Sequence, residues 1–475
     1  MDSSIQNRRV KANDFARRAS DDFFETYGHS PLDLIAPFER DEVIVGRRVG
    51  SGSFSFVYEI QAFSLRPDQA DIYTEEQIEK REATVRSMSY GAKYVLKCLK
   101  DDLEDSEDEV IFTDAAEDIA HEAEMLAALS HPNIVKLHGV TADRHTAFLD
   151  GASSFFVILE RLESILSDTI EGWKEKNSTN LSNSIRSLGS SLHSISSSGA
   201  LDKQDTAEEE AGSLETRLGI AASLAGAVEY LHSQGVIFHD LKPDNVGFNT
   251  LGNVKLFDFG LARFMPRYGD SYKDVYEMSG AGTPRFTAPE VFFEKPYNLK
   301  ADVYSFGVLL WGIMSLKKPF GKCKYRDEFE KALLRVVKIL AINRKWPRSI
   351  QDTIRRSISE NHAERPTMTE VCNAINCFIL ELEDGTFESA ATTTLTRSTS
   401  FALPSRLSSS RLSLSSKGKG VLRRRLSFTS AGSATSIPND DKYKRRLSET
   451  SATASTIGTF EDFLLLQASA KKDQE

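Results

Sequence analysis

The segment 236–245, which reads Val-Ile-Phe-His-Asp-Leu-Lys-Pro-Asp-Asn, carries polar groups at short fixed offsets. Asp240, Lys242 and Asn245 stand at offsets 0, +2 and +5, and Asp258 follows thirteen residues after the Asn, within Asp-Phe-Gly. Phosphoryl transfer uses such a set, because one carboxylate orients the attacking hydroxyl, a cation offsets phosphate charge, and amide and carboxylate oxygens hold Mg²⁺. The spacing therefore predicts a phosphoryl-transfer site that uses ATP.

These residues resemble the catalytic loop and the metal-binding loop of eukaryotic protein kinases. The resemblance implies that Asp240 is the catalytic base and that Lys242 neutralises the transferring phosphate. It also implies that Asn245 and Asp258 bind Mg²⁺ through oxygen, as a hard cation prefers. A lysine two residues after the aspartate resembles serine/threonine kinases, so Ser and Thr hydroxyls are the expected acceptors.

The catalytic loop departs from the family pattern, since the usual His-Arg-Asp reads Phe238-His239-Asp240 here. Phe238 keeps the apolar packing expected between two lobes and loses a polar contact. By the resemblance, the same apolar column contains Leu126, Leu137 and Phe259. The arginine that His239 replaces pairs with a phosphate on the activation segment. A histidine with an ordinary pKa of ~6.5 offers only partial charge and no bidentate fork. We therefore expect activation that does not depend on that arginine.

A glycine-rich turn, Gly50-Ser-Gly-Ser-Phe-Ser-Phe-Val57, separates two strand-like segments. Gly50 and Gly52 would let the backbone approach the phosphates of ATP without interference from a Cβ. The kinase pattern has a third glycine where Ser55 stands, and a small serine still allows the loop to close. Together with Val57, these residues form the expected roof of a nucleotide site. Taken alone, the motif fits a plain hairpin turn equally well.

Lys97 lies in the apolar strand pattern Tyr-Val-Leu-Lys-Cys-Leu, where a charge is costly unless an anion meets it. ATP phosphates and a helix carboxylate would supply that anion. Glu122 is the favoured carboxylate because it falls ten residues before Pro132, as the kinase resemblance implies, and Glu124 is the alternative. Without the other motifs, Lys97 could equally extend from an exposed strand into solvent.

The expected purine pocket differs from the usual kinase shape. By the resemblance, Val95 stands where most kinases carry Ala, and Gly247 stands where most carry a large aliphatic residue. We therefore expect a purine site shifted toward its floor. Leu159 would guard the rear of the pocket, and the segment from Glu160 to Leu162 would form the hinge.

The segment from Asp258 to Glu290 resembles a kinase activation segment that ends in Ala-Pro-Glu. The resemblance implies that Thr283 bonds Asp240 and helps to select hydroxyl substrates. It further implies that Glu290 pairs with Arg365 and that Asp302 anchors the catalytic loop from beneath.

Composition restricts the class of protein. The net charge of −10 argues against general nucleic-acid affinity. The four cysteines form no Cys-x-x-Cys pair, which favours a reducing compartment over a disulfide framework or a structural zinc site. No apolar run approaches the ~18 residues of a membrane span, and the polar start lacks a signal-peptide core. We expect a cytoplasmic protein, with the nucleus as an alternative location, that contacts neither nucleic acid nor membrane.

The resemblance implies an α+β fold with two lobes, a small β-rich N-lobe and a larger, mainly helical C-lobe. The kinase domain is expected over 41–382, with inserts at 64–90 and 165–213. Residues 1–40 form a polar N-terminal arm, a tail or a loosely docked segment, and residues 383–475 form a basic Ser/Thr-rich tail. Low complexity predicts disorder in the Ser-rich insert and in most of the tail. The predicted elements include strands at Ala92–Leu99, Ile134–Leu137 and Phe155–Leu159 and helices at Ile119–Leu129 and Ala301–Ser315.

Three sites share the pattern Arg-Arg-x-Ser and end at Ser20, Ser427 and Ser448. Two arginines before a serine suit an upstream basophilic kinase whose cleft carries acids, and a phosphate there would nearly cancel the local positive charge. A solvated basic tail, or a nuclear-import signal at Arg423–Arg425, is the alternative. The amphipathic segment 460–466 could dock on the kinase or on a partner.

The sequence thus predicts a protein serine/threonine kinase that uses ATP and Mg²⁺ on protein substrates, possessing features of the tyrosine-kinase-like branch. One rival is a pseudokinase, a signalling scaffold that binds ATP without turnover; the presence of Lys97, Asp240, Asn245 and Asp258 disfavours it. The other is a small-molecule kinase of similar fold, which the loop from Thr283 to Glu290 disfavours because that loop serves protein substrates.

Overall fold

The structure is a computed structural model that describes residues 3–66, 72–106, 108–176, 212–266, 271–278, 282–333 and 335–383. Most of the Ser-rich insert, the basic C-terminal tail with Ser427 and Ser448, and the segment 460–466 lie outside these residues. Within the described ranges, none of the helices is long and apolar enough to cross a membrane.

A six-stranded sheet forms the N-lobe. Its strands are β1 (Pro37–Phe38), β2 (Val43–Ser51), β3 (Ser55–Phe63), β4 (Tyr94–Leu99), β5 (Leu137–Thr141) and β6 (Phe156–Glu160). Their order across the sheet is β1-β5-β6-β4-β3-β2. All neighbours are antiparallel except β1 and β5. Strand β4 is central and nearly all buried, which matches its almost unbroken apolar sequence.

Four helices accompany this sheet: α1 (Ser3–Tyr27), α2 (Glu75–Ser89), α3 (Glu109–Ala128) and the short α4 (Ala147–Asp150). Helix α3 begins ten residues before the predicted start at Ile119, because the Asp108 side chain caps it by accepting from the Val110 amide at 3.0 Å. Helix α2 fills the predicted insert and is likewise capped, by Thr74.

The C-lobe is mainly helical. Its helices are α5 (166–176), α6 (Leu214–Ser233), α7 (Pro289–Phe292), α8 (Lys300–Ser315), α9 (Arg326–Leu333), α10 (Val336–Ile339), α11 (Arg348–Ser357) and α12 (Met368–Glu383). Short strands β7 (Leu162–Ile165), β9 (Val246–Asn249) and β10 (Val254–Leu256) form one sheet, and β8 (Val236–Ile237) pairs with β11 (Arg263–Phe264). Helix α8 is buried along almost its whole length, as a helix apolar on nearly all sides should be. The predicted two-lobed α+β fold is confirmed.

Three local expectations differ from the structure. The predicted strand Ile134–Leu137 is a connecting segment in which Ile134 makes a single bridge to Leu256, and the strand begins at Leu137. The insert predicted over 165–213 starts with a helix at 166–176. The N-terminal arm is not a loose tail, because α1 packs along α3 with Ala12, Ala16, Ala19 and Phe23 buried.

Candidate active site

The sheet register aligns the glycine-rich turn with Lys97. Gly50 pairs with Val57, Val57 pairs with Lys97, and Lys97 pairs with Val157. The turn is tight, since the Gly52 amide donates to the Ser55 carbonyl at 2.8 Å. The roof residues expected from the sequence therefore lie directly beside the strand that carries the lysine.

Lys97 is held between two carboxylates. Its Nζ lies 2.5 Å from Glu122 Oε2 and 3.7 Å from Asp258 Oδ1. Burial alone would lower the pKa of this ammonium, but the two carboxylates outweigh it and hold the pKa above the ordinary value. Lys97 is thus a charged, fixed cation and does not extend into solvent. Of the two candidate carboxylates on α3, Glu122 and Glu124, Glu122 is the one that contacts Lys97.

Asp240 is the centre of a dense hydrogen-bond cluster. Its Oδ1 accepts from the Thr283 amide at 2.9 Å and from the Thr283 hydroxyl at 2.7 Å. Its Oδ2 lies 2.7 Å from Lys242 Nζ and accepts from Asn245 Nδ2 at 2.9 Å. Lys242 also donates to Thr283 Oγ1 at 3.0 Å. Three residues, two from the catalytic loop and one from the activation segment, therefore converge on one carboxylate.

Asn245 and Asp258 fit the role of magnesium ligands by their chemistry. Because Asn245 engages Asp240 through Nδ2, its Oδ1 is the atom left for a cation. The Asp258 carboxylate is half exposed and lies beside Lys97, where the phosphates of a nucleotide would arrive. Within the described residues there is no cluster of three or more His, Cys, Asp or Glu that could hold a metal alone. The pair suits Mg²⁺ that takes its other ligands from phosphate and water.

Asp302 fixes the catalytic loop from below. Its carboxylate accepts from the Phe238 amide at 2.8 Å and from the His239 amide at 2.9 Å, and His232 Nε2 lies at 3.0 Å. Burial alone would raise the pKa of Asp302, but these bonds hold it below its ordinary value. The residue that sequence reasoning placed under the loop does bind it.

His239 forms a neutral bridge rather than a charged site. Its Nδ1 lies 2.8 Å from the Leu261 carbonyl and its Nε2 lies 2.9 Å from the Tyr297 hydroxyl. A carbonyl only accepts, so Nδ1 carries the proton and Nε2 accepts from Tyr297. Burial lowers the pKa of His239, against the opposing pull of Asp302. The loop is thereby joined to the start of the activation segment without any positive charge.

Phe238 occupies the apolar position expected of it. Its ring meets the Phe259 ring edge-on, with 5.1 Å between centroids. Leu126 and Leu137 are buried in the same apolar cluster, which runs from α3 into the C-lobe. The lost polar contact is replaced by aromatic packing.

The activation segment returns to the catalytic loop at Gly282. This glycine has φ +109°, and a Cβ there would lie 2.6 Å from the His239 carbonyl oxygen. Only glycine permits this approach, which delivers Thr283 to Asp240. At the end of the segment, Arg365 binds Glu290 through two nitrogens, at 2.5 and 2.8 Å, with both side chains buried.

The purine floor differs from its prediction. A Cβ at Gly247 would lie 2.7 Å from Leu162 Cδ1, so the Leu162 side chain already fills the space that the missing aliphatic residue would leave. The site is therefore not deepened at Gly247. At the rear, Val95 and Leu159 are buried partners across β4 and β6.

Glu160 turns its side chain toward the C-lobe. Its carboxylate pairs with Lys255 Nζ at 2.6 Å and accepts from the Lys136 amide at 2.9 Å. Its own amide donates to the Lys136 carbonyl at 3.1 Å. Because the side chain and the amide of Glu160 are both engaged, we expect its backbone carbonyl to make any contact with the purine.

Sequence reasoning missed the residues that support the catalytic loop from other elements. His232 on α6 bonds Asp302, and its Nδ1 lies 2.7 Å from the Tyr272 hydroxyl. Tyr297 supports His239. Tyr272 and Tyr297 lie far from the loop in sequence, and His232, although near it, carries no motif of its own. Only the fold reveals their contacts.

The protein kinase domain family matches residues 81–375, more than half of the 475-residue chain. The chain therefore belongs to the protein kinase family. Domains of this family use ATP and Mg²⁺ as a class.

Several curated relatives match parts of the chain. The cAMP-dependent protein kinase type 3 of Saccharomyces cerevisiae is 35% identical over 146 residues, which cover 30% of this chain and 34% of that protein. The serine/threonine/tyrosine-protein kinase HT1 of Arabidopsis thaliana is 34% identical over 160 residues, covering 34% and 39%. Vascular endothelial growth factor receptor 2 of Coturnix japonica is 28% identical over 365 residues, covering 70% and 24%. The chain thus spans well under half the length of these relatives.

Proposed function

We propose that this chain is a protein serine/threonine kinase that transfers the γ-phosphoryl group of ATP to protein hydroxyls. The observation that carries the proposal is the convergence of Thr283, Lys242 and Asn245 on the Asp240 carboxylate. Beside it stands the charged Lys97–Glu122 pair with Asp258. A protein that only binds nucleotide would not need the contacts that hold Asp240 in addition to the Lys97–Glu122 pair.

Each residue has a role that its geometry supports. Asp240 is held on both oxygens, so it can orient a substrate hydroxyl and accept its proton as the bond to phosphorus forms. Lys242 lies between Asp240 and Thr283, where it would offset charge on the transferring group. Lys97 is positioned by Glu122 to hold the nucleotide phosphates. Mg²⁺ bound at Asn245 and Asp258 would neutralise phosphate charge when present.

Preference for Ser and Thr rests on two features. Lys242 is the lysine that serine/threonine kinases carry two residues after the base, and here it reaches Thr283 Oγ1. Several relatives are named as serine/threonine kinases, among them a putative serine/threonine-protein kinase A of Trypanosoma brucei brucei. Thr283 closes the site from the activation segment, as expected for a loop that accepts protein substrates.

The test is Mg²⁺-dependent transfer of labelled phosphate from ATP to a generic protein, with Asp240→Ala as the control, followed by phosphoamino-acid analysis. We expect turnover well above the variant and label on Ser and Thr. Label mainly on Tyr would overturn the specificity. Transfer no greater than that of Asp240→Ala would leave only a pseudokinase that binds nucleotide.

A further inference from the structure

Helix α1 is packed along α3, the helix that carries Glu122. The buried face of α1 consists of Ala12, Ala16, Ala19 and Phe23, at the three- and four-residue spacing of one helical stripe. Small alanines allow two helices to approach closely. Helix α3 is therefore supported along its outer side by residues of the same chain.

Glu122 and Glu124 face opposite directions on α3, because two residues turn an α-helix by about 200°. Glu122 points to Lys97. Glu124 is fully buried and points to the N-terminal arm. It accepts from Ser30 Oγ at 2.7 and 2.9 Å and from the Leu32 amide at 3.3 Å. Ser20, on the last part of α1, is half-buried next to Ala19 at this interface, and its hydroxyl is near enough to the same carboxylate to lower the pKa of Glu124.

Phe23 links α1 to the activation segment. Its ring centroid lies 5.5 Å from that of His121 on α3 and 5.5 Å from that of Phe264 in β11. His121 Nε2 in turn lies 2.7 Å from the carbonyl of Ala262, just beyond Asp-Phe-Gly. A displacement of α1 would therefore loosen both the helix that positions Glu122 and the segment that follows Asp258.

Ser20 is preceded by Arg17 and Arg18, whose side chains are exposed. A phosphate on Ser20 would add a charge of about −1.5 to −2 against a buried carboxylate whose other protein contacts are hydrogen-bond donors already in use. Arg144 also acts on Glu124, but it is paired with Asp33. The phosphate and the Glu124 carboxylate would repel each other in this buried site, which opposes the docking of α1 on α3.

We propose that Ser20 is a phosphorylation site and that its phosphate detaches α1 from α3, which lowers kinase activity. A basophilic protein kinase would supply the group from ATP: the Ser20 Oγ–phosphorus bond forms, the bond to ADP breaks, and the hydroxyl proton passes to the base of that kinase. Ser20 is partly buried while α1 is docked. The upstream kinase would therefore modify those chains in which α1 has transiently detached from α3. The effect on activity rests on the proposed function, and the detachment of α1 does not.

The test compares full-length chains by amide hydrogen exchange and by phosphate transfer. Ser20→Glu supplies a negative charge, Ser20→Ala removes only the hydroxyl, and Ser427→Glu places the same charge in another Arg-Arg-x-Ser site. We expect Ser20→Glu to speed exchange over residues 3–27 by about ten-fold or more, with a smaller increase over 109–128. Exchange in α8 should not change, which separates detachment from unfolding. Transfer should fall by roughly five-fold or more in Ser20→Glu alone, as partial loss of the Lys97–Glu122 pair requires.

Adding Glu124→Gln to Ser20→Glu should restore slow exchange over 3–27, since it removes one of the two repelling charges. Unchanged exchange in Ser20→Glu, or slower exchange because the new charge pairs with a cation, would overturn the proposal. Faster exchange with undiminished transfer would overturn its effect on activity. If the unmodified chain shows no transfer above Asp240→Ala, the proposed function fails, while the exchange data still decide whether Ser20 controls docking.

Discussion

At the scale of the residue, the departure from His-Arg-Asp changes how the catalytic loop is connected. An arginine would bring a permanent charge that requires an anion, whereas His239 satisfies both ring nitrogens with Leu261 and Tyr297. The sequence could show the loss of the arginine and its fork. It could not show the replacement bonds, because Tyr297 is distant in sequence. The spacing to Pro132 favoured Glu122 over Glu124, and the structure agrees, since Glu122 binds Lys97 while Glu124 binds Ser30.

The neutral bridge makes stability depend on pH in a defined direction. Burial lowers the pKa of His239, so below the ordinary value of ~6.5 the unfolded chain binds the additional proton. The free energy of unfolding should therefore fall as pH drops below ~6.5, with His239 contributing up to ~1.4 kcal/mol per pH unit. His239→Gln keeps a donor and an acceptor and removes the titration. Urea unfolding at pH 7.5 and 5.5 should show a smaller decline in the variant; equal declines would argue against a buried neutral His239.

Gly282→Ala should lower kcat by about ten-fold or more, because its Cβ would meet the His239 carbonyl and displace Thr283 from Asp240. Gly252→Ala is the matched control, since Gly252 also has positive φ (+79°) but no heavy atom lies within 4 Å of its Cβ position. Both variants should lose about 1–2 kcal/mol of stability through backbone strain. Equal activities of the two variants would show that the close approach at Gly282 has no part in catalysis.

At the scale of the element, a helix with a strongly apolar sequence was easier to predict than a helix whose buried face consists of small residues. Helix α8 was found because it is apolar on nearly all sides and therefore buried. Helix α1 was missed because its buried stripe is mostly alanine within a polar sequence, although the spacing of Ala12, Ala16, Ala19 and Phe23 carried the signal. The strand expected at Ile134 was misplaced because an apolar run alone does not show where sheet pairing begins.

The Glu290–Arg365 pair joins α7 to the segment before α12. Both side chains are buried, so Glu290→Gln should cost about 3–5 kcal/mol by leaving the guanidinium without its charge partner. Asp327→Asn disrupts the exposed pair with Lys331 and should leave the free energy of unfolding unchanged. Urea unfolding of the two variants checks the contrast, and similar losses in both would contradict it.

At the scale of the whole molecule, the contacts between the two lobes bring the catalytic residues together. Lys97 reaches Glu122 and Asp258, His121 reaches Ala262, and one apolar cluster continues from α3 into the C-lobe. The two lobes and the main catalytic residues could be predicted because their motifs are local and ordered along the chain. The support from α1 could not, because it depends on the packing of separate elements.

The central expectation is that activity needs no phosphate on the activation segment, because His239 joins the catalytic loop to that segment through neutral hydrogen bonds. The most direct measurement is the early time course of phosphate transfer by full-length chain freed of phosphate, with mass spectrometry to verify its state and Asp240→Ala as the blank. Because His239 holds the loop by neutral hydrogen bonds, transfer should begin at its full rate without a lag. A lag that disappears after preincubation with ATP and Mg²⁺, together with new phosphate between Asp258 and Glu290, would contradict the account.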